Sequence, residues 1–174
     1  MAINRRQFVA KAGALGFAAT LGQHALAQPP VSEDPELTAT DFVTPPTQGA
    51  INKAVGYLAR RQNDDGSLGG GNYSRNVAVC ALSGMAFMAG GSTPGRGPFG
   101  ENAAGCVDFI LHHTQDRGFI TAEGAASHGP MYGHGFATLF LAEAYGMTWR
   151  MDIGDKLTKA VEQIIATQNK DGGW

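Results

Sequence analysis

Apolar residues recur along this chain in two alternating patterns. From Gln48 to Gln62, Ile51, Val55 and Leu58 fall at i, i+4 and i+7, with Lys53, Arg60 and Arg61 between and beyond them. That spacing predicts a helix with one buried face. Pro45-Pro46-Thr47 precedes it and offers Thr47 as its N-cap, and Asn63-Asp64-Asp65-Gly66 ends it. From Arg75 to Ala89 the pattern changes: Val77 to Leu82 is unbroken and Met85 to Met88 follows. This predicts a helix that is apolar nearly all round and buried on most sides. The alternation continues. Glu101 to Thr114 is amphipathic, with Ala103, Val107, Ile110 and Leu111 facing inward. Gly133 to Tyr145 is again nearly all apolar, and Ile153 to Thr167 is amphipathic through Ile153, Leu157, Val161, Ile164 and Ile165. The Gly-rich stretches 90–100 and 118–130 read as loops. The expected fold is all-α, in two layers: outer helices with a wet face and inner helices with none. No such pair can bury its own face alone, so unit stacks on unit.

The ends of the amphipathic helices repeat a phrase. Lys53 to Leu68, Ala104 to Phe119 and Lys159 to Trp174 each carry a Gln and then a Gly: Gln62 and Gly66, Gln115 and Gly118, Gln168 and Gly172. The three glutamines are 53 residues apart each time, and a fixed period marks a repeat architecture. These residues resemble the QW motif of the squalene–hopene cyclase and protein prenyltransferase superfamily. That motif runs from a basic residue through a small residue, an aromatic and an aliphatic to Gln, Gly and Trp. The first copy matches at Lys53, Tyr57, Leu58, Gln62 and Gly66, with Leu68 in place of Trp. The third matches at Lys159, Ala160, Ile164, Gln168, Gly172 and Trp174, with Gln163 in place of the aromatic. The middle copy lacks the basic residue and has one extra residue before its Gln, and Phe119 ends its turn where the first has Leu68. The resemblance spans roughly Gln48 to Trp174. It implies an α/α toroid whose inner helices line a central cavity, with each motif Gln capping neighbouring helix ends and stacking on the aromatic. A closed ring of that kind needs some five or six helix pairs. Two pairs and one further outer helix are expected here, so the reading is a partial toroid, a fragment or an open arc. The remainder of the ring beyond Trp174 is then the expected partner of the last helix.

Composition changes the picture mainly at the front. Adjacent Arg5 and Arg6 precede an apolar, Gly/Ala-rich run from Ala12 to Leu21, and Ala25-Leu26-Ala27 offers small residues at Ala25 and Ala27 for a signal peptidase. Residues 1–27 resemble a twin-arginine export signal, which implies a periplasmic or secreted protein that folds before transport. An amphipathic N-terminal helix or an uncleaved anchor is the alternative, but the run is shorter than the ~20 apolar residues a span needs. Residues 28–46, rich in Pro, Thr and acid, read as an extended linker before the repeats at 47–174. The whole chain carries a net charge of −2, which argues against a nucleic-acid partner. Cys80 and Cys106 both lie in apolar helical contexts, and buried free thiols are the reading favoured over a disulfide.

Candidate chemistry is sparse. The cyclases of the resembled superfamily use an Asp-rich motif; the nearest stretch, Asn63-Asp64-Asp65-Gly66, sits where acidic residues commonly punctuate a helix end. No metal-ligand spacing occurs, so neither a metal nor a cofactor is expected in this segment. The cluster Ser127 to Gly135 before the second inner helix is the most suggestive, with His128, Tyr132 and His134 as candidate catalytic residues. Imidazole titrates near neutrality, and a tyrosine ring can stabilise a cation. The alternative is a Gly-rich turn whose His and Tyr make structural hydrogen bonds. Tyr73, Arg75 and Asn76 hold the matching place before the first inner helix. His112 and His113, adjacent on a helix, point about 100° apart and cannot chelate one ion together. Two functions follow as expectations. One is an isoprenoid-type enzyme, binding an apolar small molecule among rings such as Phe87, Phe136, Phe140 and Tyr132. The other is a non-catalytic exported scaffold or binding module.

Overall fold

The computed structural model describes residues 43–122, 124 and 129–174. The export-signal reading of Arg5, Arg6, Ala25 and Ala27, most of the predicted linker, and the candidate His128 lie outside the described residues. Within them the chain is all-α: α1 (Pro45–Arg61), α2 (Val77–Ala89), α3 (Gly100–His112), α4 (Pro130–Met147) and α5 (Met151–Thr167), with a short 3-10 turn at Gly71–Tyr73.

The helix ends follow local chemistry. α1 starts earlier than the apolar spacing predicts. Thr44, not Thr47, is its N-cap: the Thr44 hydroxyl accepts from the Thr47 N–H at 3.4 Å, and Pro45 and Pro46 fill the first turn. Proline suits that place because the N–H it lacks would have no partner there. α2 begins two residues later than expected because Asn76 caps it. The Asn76 Oδ1 accepts from the N–H groups of Ala78 at 2.9 Å and Val79 at 3.2 Å, satisfying two donors the helix itself leaves open. α4 begins three residues earlier than expected, again on a proline, Pro130.

The core forms where inner helices meet each other and their outer neighbours. Phe87 of α2 and Phe140 and Leu141 of α4 are buried, as are Val107 and Ile110 of α3 and Ile153 of α5. Each such apolar side chain contributes about 1.5–3 kcal/mol of burial. α2 and α4 approach closely through glycine: Gly84 faces the Phe140 ring and Gly133 faces Val77. The inward set expected on α3 is buried in full. On α1 only Val55 is buried, and Ile51 is exposed, against expectation. Val161 and Ile165 of α5 are likewise exposed. The expectation that inner helices have no open face also needs correction: Leu82 on α2 and Phe136 and Leu139 on α4 form an exposed stripe. Leu82 lines a cavity together with Tyr132 and Gly133 of α4.

Candidate functional site

The three Gly turns are one structure built three times. In the first, the Asn63 N–H donates to the Ser67 carbonyl at 3.0 Å and the Gly66 N–H to the Asn63 carbonyl at 2.9 Å. In the second, Gln115 pairs with Phe119 at 2.9 Å and Gly118 with Gln115 at 2.8 Å; in the third, Asn169 pairs with Gly173 at 2.8 Å and Gly172 with Asn169 at 3.0 Å. Gly66, Gly118 and Gly172 have φ of 81°, 90° and 85°, a backbone state that favours glycine. This geometry corrects the register of the middle copy. Gln115 matches Asn63 and Asn169, and Thr114 stands where Gln62 and Gln168 do. The residue at the Trp174 place is then Ile120, not Phe119. The extra residue before Gln115 was the sequence signal of this shift.

The motif glutamines differ in what they hold. The Gln62 Nε2 donates to the Gly66 carbonyl and the Asn102 carbonyl, both at 2.9 Å, and lies 3.4 Å from the Cys106 sulfur. Its Oε1 accepts from the Asn102 Nδ2 at 2.7 Å. Gln62 therefore ties α1, its turn and α3 together, and Asn102, which the repeat pattern did not single out, completes the tie. Among the described residues the Gln168 side chain bonds within its own turn, to the Gly172 carbonyl at 3.0 Å.

His134 is fully buried. Its Nδ1 accepts from the Ile120 N–H at 3.2 Å, which leaves Nε2 to donate to the Ala160 carbonyl at 3.1 Å. Burial pushes its pKa below the ordinary 6.5, against the opposing pull of the Ala160 carbonyl. Both ring nitrogens are committed to backbone groups, so the geometry is that of a bridge between the second turn and α5. Tyr132 is the reverse case, 73% exposed. It stands between two apolar cavities. One, of about 190 Å³, is lined by Val77, Val79, Leu82, Thr121 and Gly133. The other, of about 380 Å³, is lined by Met131, Gly135, Ile164 and Trp174.

The polar candidates are engaged locally. Asp65 accepts from the Ser67 hydroxyl at 2.6 Å and pairs with Arg75 at 2.5 Å. Burial disfavours its charge, but the Ser67 hydroxyl and amide and the Arg75 guanidinium outweigh this and hold its pKa below the ordinary value. Arg75 also lies over the Phe109 ring, 5.8 Å from its centroid, and is the one described non-glycine with positive φ, 55°. Tyr73 and Asn76 line the smaller cavity. The His113 Nδ1 lies 2.8 Å from the Phe109 carbonyl, and the His112 ring meets it edge-on at 74°, not converging on one point. Cys80 and Cys106 are free and buried. Among the described residues no group of three His, Cys, Asp or Glu side chains could hold a metal. No described helix is long and apolar enough to cross a membrane.

No protein-family model, curated protein or solved structure matches this chain.

Proposed function

We propose that this chain is an exported α/α repeat module that binds an apolar, isoprenoid-like molecule along its inner helices. In this reading the helix pairs are an arc of a toroid of the squalene cyclase and prenyltransferase kind, and the open stripe of α2 and α4 is its cavity wall. One observation carries the reading: Leu82, Tyr132, Phe136 and Leu139 are exposed on the two helices that bury Phe87, Phe140 and Leu141. Large apolar side chains grouped in the open mark a binding surface, and ligand sites are typically apolar with a few polar groups. The turn repeated three times and the alternation of helix types support the arc.

Binding rather than chemistry is the part the described residues favour. His134, Asp65 and Cys80 are each held by bonds within the fold, which also suits a non-catalytic scaffold. The aromatic rings of Tyr132 and Phe136 would stabilise a cation if a reaction occurs there. The test is calorimetric titration of the full-length protein with farnesol. Leu82→Glu and Phe136→Glu should each weaken binding tenfold or more, a loss of about 1.4 kcal/mol, with the melting temperature little changed. Unchanged affinity in both variants would remove this stripe as the site. Export by the twin-arginine route is the accompanying proposal. Replacing Arg5 and Arg6 by Lys should leave the protein in the cytoplasmic fraction, and undiminished export would reject it.

A further inference from the structure

The fold builds one interface twice and half of it a third time. In the first copy Gly66 presses on α3: a Cβ there would lie 2.1 Å from the Gly105 carbonyl oxygen. Two residues on, Leu68 is 1% exposed, and the turn is met by α2, where the Cys80 thiol donates to the Gly66 carbonyl at 3.4 Å. In the second copy Gly118 presses on α5: a Cβ would lie 2.3 Å from the Lys159 carbonyl oxygen. Ile120 is 0% exposed, and its N–H is held by His134 of α4. Each turn is thus covered by an inner helix and then by the outer helix that follows. The outer helices carry small buried residues at the contact, Cys106 and Ala160.

The third turn has the same hydrogen bonds and the same positive φ at Gly172. Yet among the described residues no backbone lies against Gly172; the nearest atom to a Cβ there is the Gln168 Nε2 at 4.0 Å. Trp174, at the place of Leu68 and Ile120, is 61% exposed. Ile165, at the place of the buried Leu111, is 69% exposed. The indole Nε1 donates to the Ile164 carbonyl at 2.8 Å, so the ring lies across α5 rather than free in water. Met131 of α4 takes the place that Val77 holds on α2, and Val77 is covered by Gly133 of the next inner helix.

We propose that the face made by Met131, Ile164, Ile165, Gly172 and Trp174 is a docking surface for a further helix pair of this same repeat type. Its inner helix covers Trp174 and offers a side-chain partner to the turn backbone, as Cys80 does to the Gly66 carbonyl and His134 to the Ile120 N–H. Its outer helix sets a small residue against Gly172. The two completed copies of the interface say what covers it. The inference stands on the repeat geometry and not on the ligand proposed above.

The experiment extends the full chain after Trp174 with a second copy of its own residues 121–174. The new segment then follows Trp174 as the original follows Ile120. A scrambled extension of the same composition is the control. Correct docking should slow hydrogen exchange at the Trp174 amide about 100-fold, since exchange then requires opening of a packed unit. It should also raise the melting temperature by about 5 °C, the size of shift that a 1 kcal/mol gain produces in such a domain. Gly172→Val, made in extended and unextended chains so that its own backbone cost cancels, should abolish both gains. Three outcomes would each overturn the proposal. The extension could add no helix and leave Trp174 exchanging as in the control. The gains could survive Gly172→Val. The unextended chain could dimerise with Trp174 protected and Ile165→Glu dissociating it, which would give the face to a second copy.

Discussion

Cys80 and His134 occupy the same place in successive helix pairs. The His134 imidazole accepts from the Ile120 N–H and donates to the Ala160 carbonyl. The Cys80 sulfur lies 3.4 Å from the Gly66 carbonyl oxygen and 4.0 Å from that of Cys106. Leu68 and Ile120 each stand two residues past their turn glycine, and Cys106 and Ala160 are the matching small residues of the outer helices. One position therefore carries a side chain that reaches both the turn backbone and an outer-helix carbonyl, and a thiol or an imidazole can fill it. The Cys106 sulfur and then burial push the Cys80 thiol far above its ordinary pKa, so it is inert as a nucleophile. A bonding pattern that recurs where no ligand reaches belongs to packing.

A pH dependence follows from His134. Its folded pKa lies below the ordinary 6.5 because burial disfavours the imidazolium. Below about pH 6.5 the unfolded chain takes up a proton that the native state refuses. The unfolded state then binds more protons, so stability falls as pH falls through that window and levels off above it. The urea midpoint should be flat from about pH 8 to 7 and decline from about pH 6.5 downward. His134→Gln, which keeps an acceptor and a donor but does not titrate, should lose part of that slope. Asp65 and Asp152, whose pKa values are lowered, act only near or below the ordinary 3.8. A variant with the wild-type slope between pH 6.5 and 5 would show that His134 is not responsible.

The two end glycines should respond very differently to alanine. Both Gly66 and Gly172 have positive φ, which costs an alanine about 1–2 kcal/mol. At Gly172 nothing else stands in the way. At Gly66 the added methyl would also overlap the Gly105 backbone, and overpacking of that kind adds about 1–3 kcal/mol. Gly66→Ala should therefore lose roughly 2–5 kcal/mol and Gly172→Ala no more than about 2. Urea unfolding of the two variants checks this. Equal losses would mean that the turn does not press on α3 in solution.

The helix pattern was readable because apolar spacing reports burial directly. Val107, Ile110 and Ile153 sit inside as their periods require. Helix starts were less readable, because two signals competed at one place. Pro45-Pro46 reads equally as the end of an extended arm and as a first helical turn, and the cap at Thr44 decides it. The turn register was hidden by the glutamines, whose even spacing is coincidental; the backbone constraint lies on the glycines, which are 52 and then 54 residues apart. Periodicity also cannot say whether a neighbour exists to cover a face, so Ile51, Leu82 and Ile165 were expected inside and lie open. The role of His134 was unreadable for a related reason, since its partners, Ile120 and Ala160, are 14 and 26 residues away.

The contact between the inner helices gives a prediction in which a substitution reverses its sign. Gly84 lies in the middle of α2, where glycine costs about 1 kcal/mol relative to alanine. Its place there is explained by Phe140: a Cβ on Gly84 would stand 2.5 Å from two atoms of that buried ring. Gly84→Ala should gain the helical preference but force the ring aside, at about 1–3 kcal/mol, for a net loss. Phe140→Leu alone should also destabilise, by leaving unfilled space between α2 and α4. In the Phe140→Leu background the shorter side chain vacates the ring's position, and the alanine methyl can take part of it. There Gly84→Ala should become neutral or stabilising by up to about 1 kcal/mol, a coupling of the size seen between residues in contact. The double-mutant cycle, measured by urea unfolding, decides the matter. Simple additivity of the two losses would mean that Gly84 is small for a reason other than Phe140, and that α2 and α4 do not meet at this point.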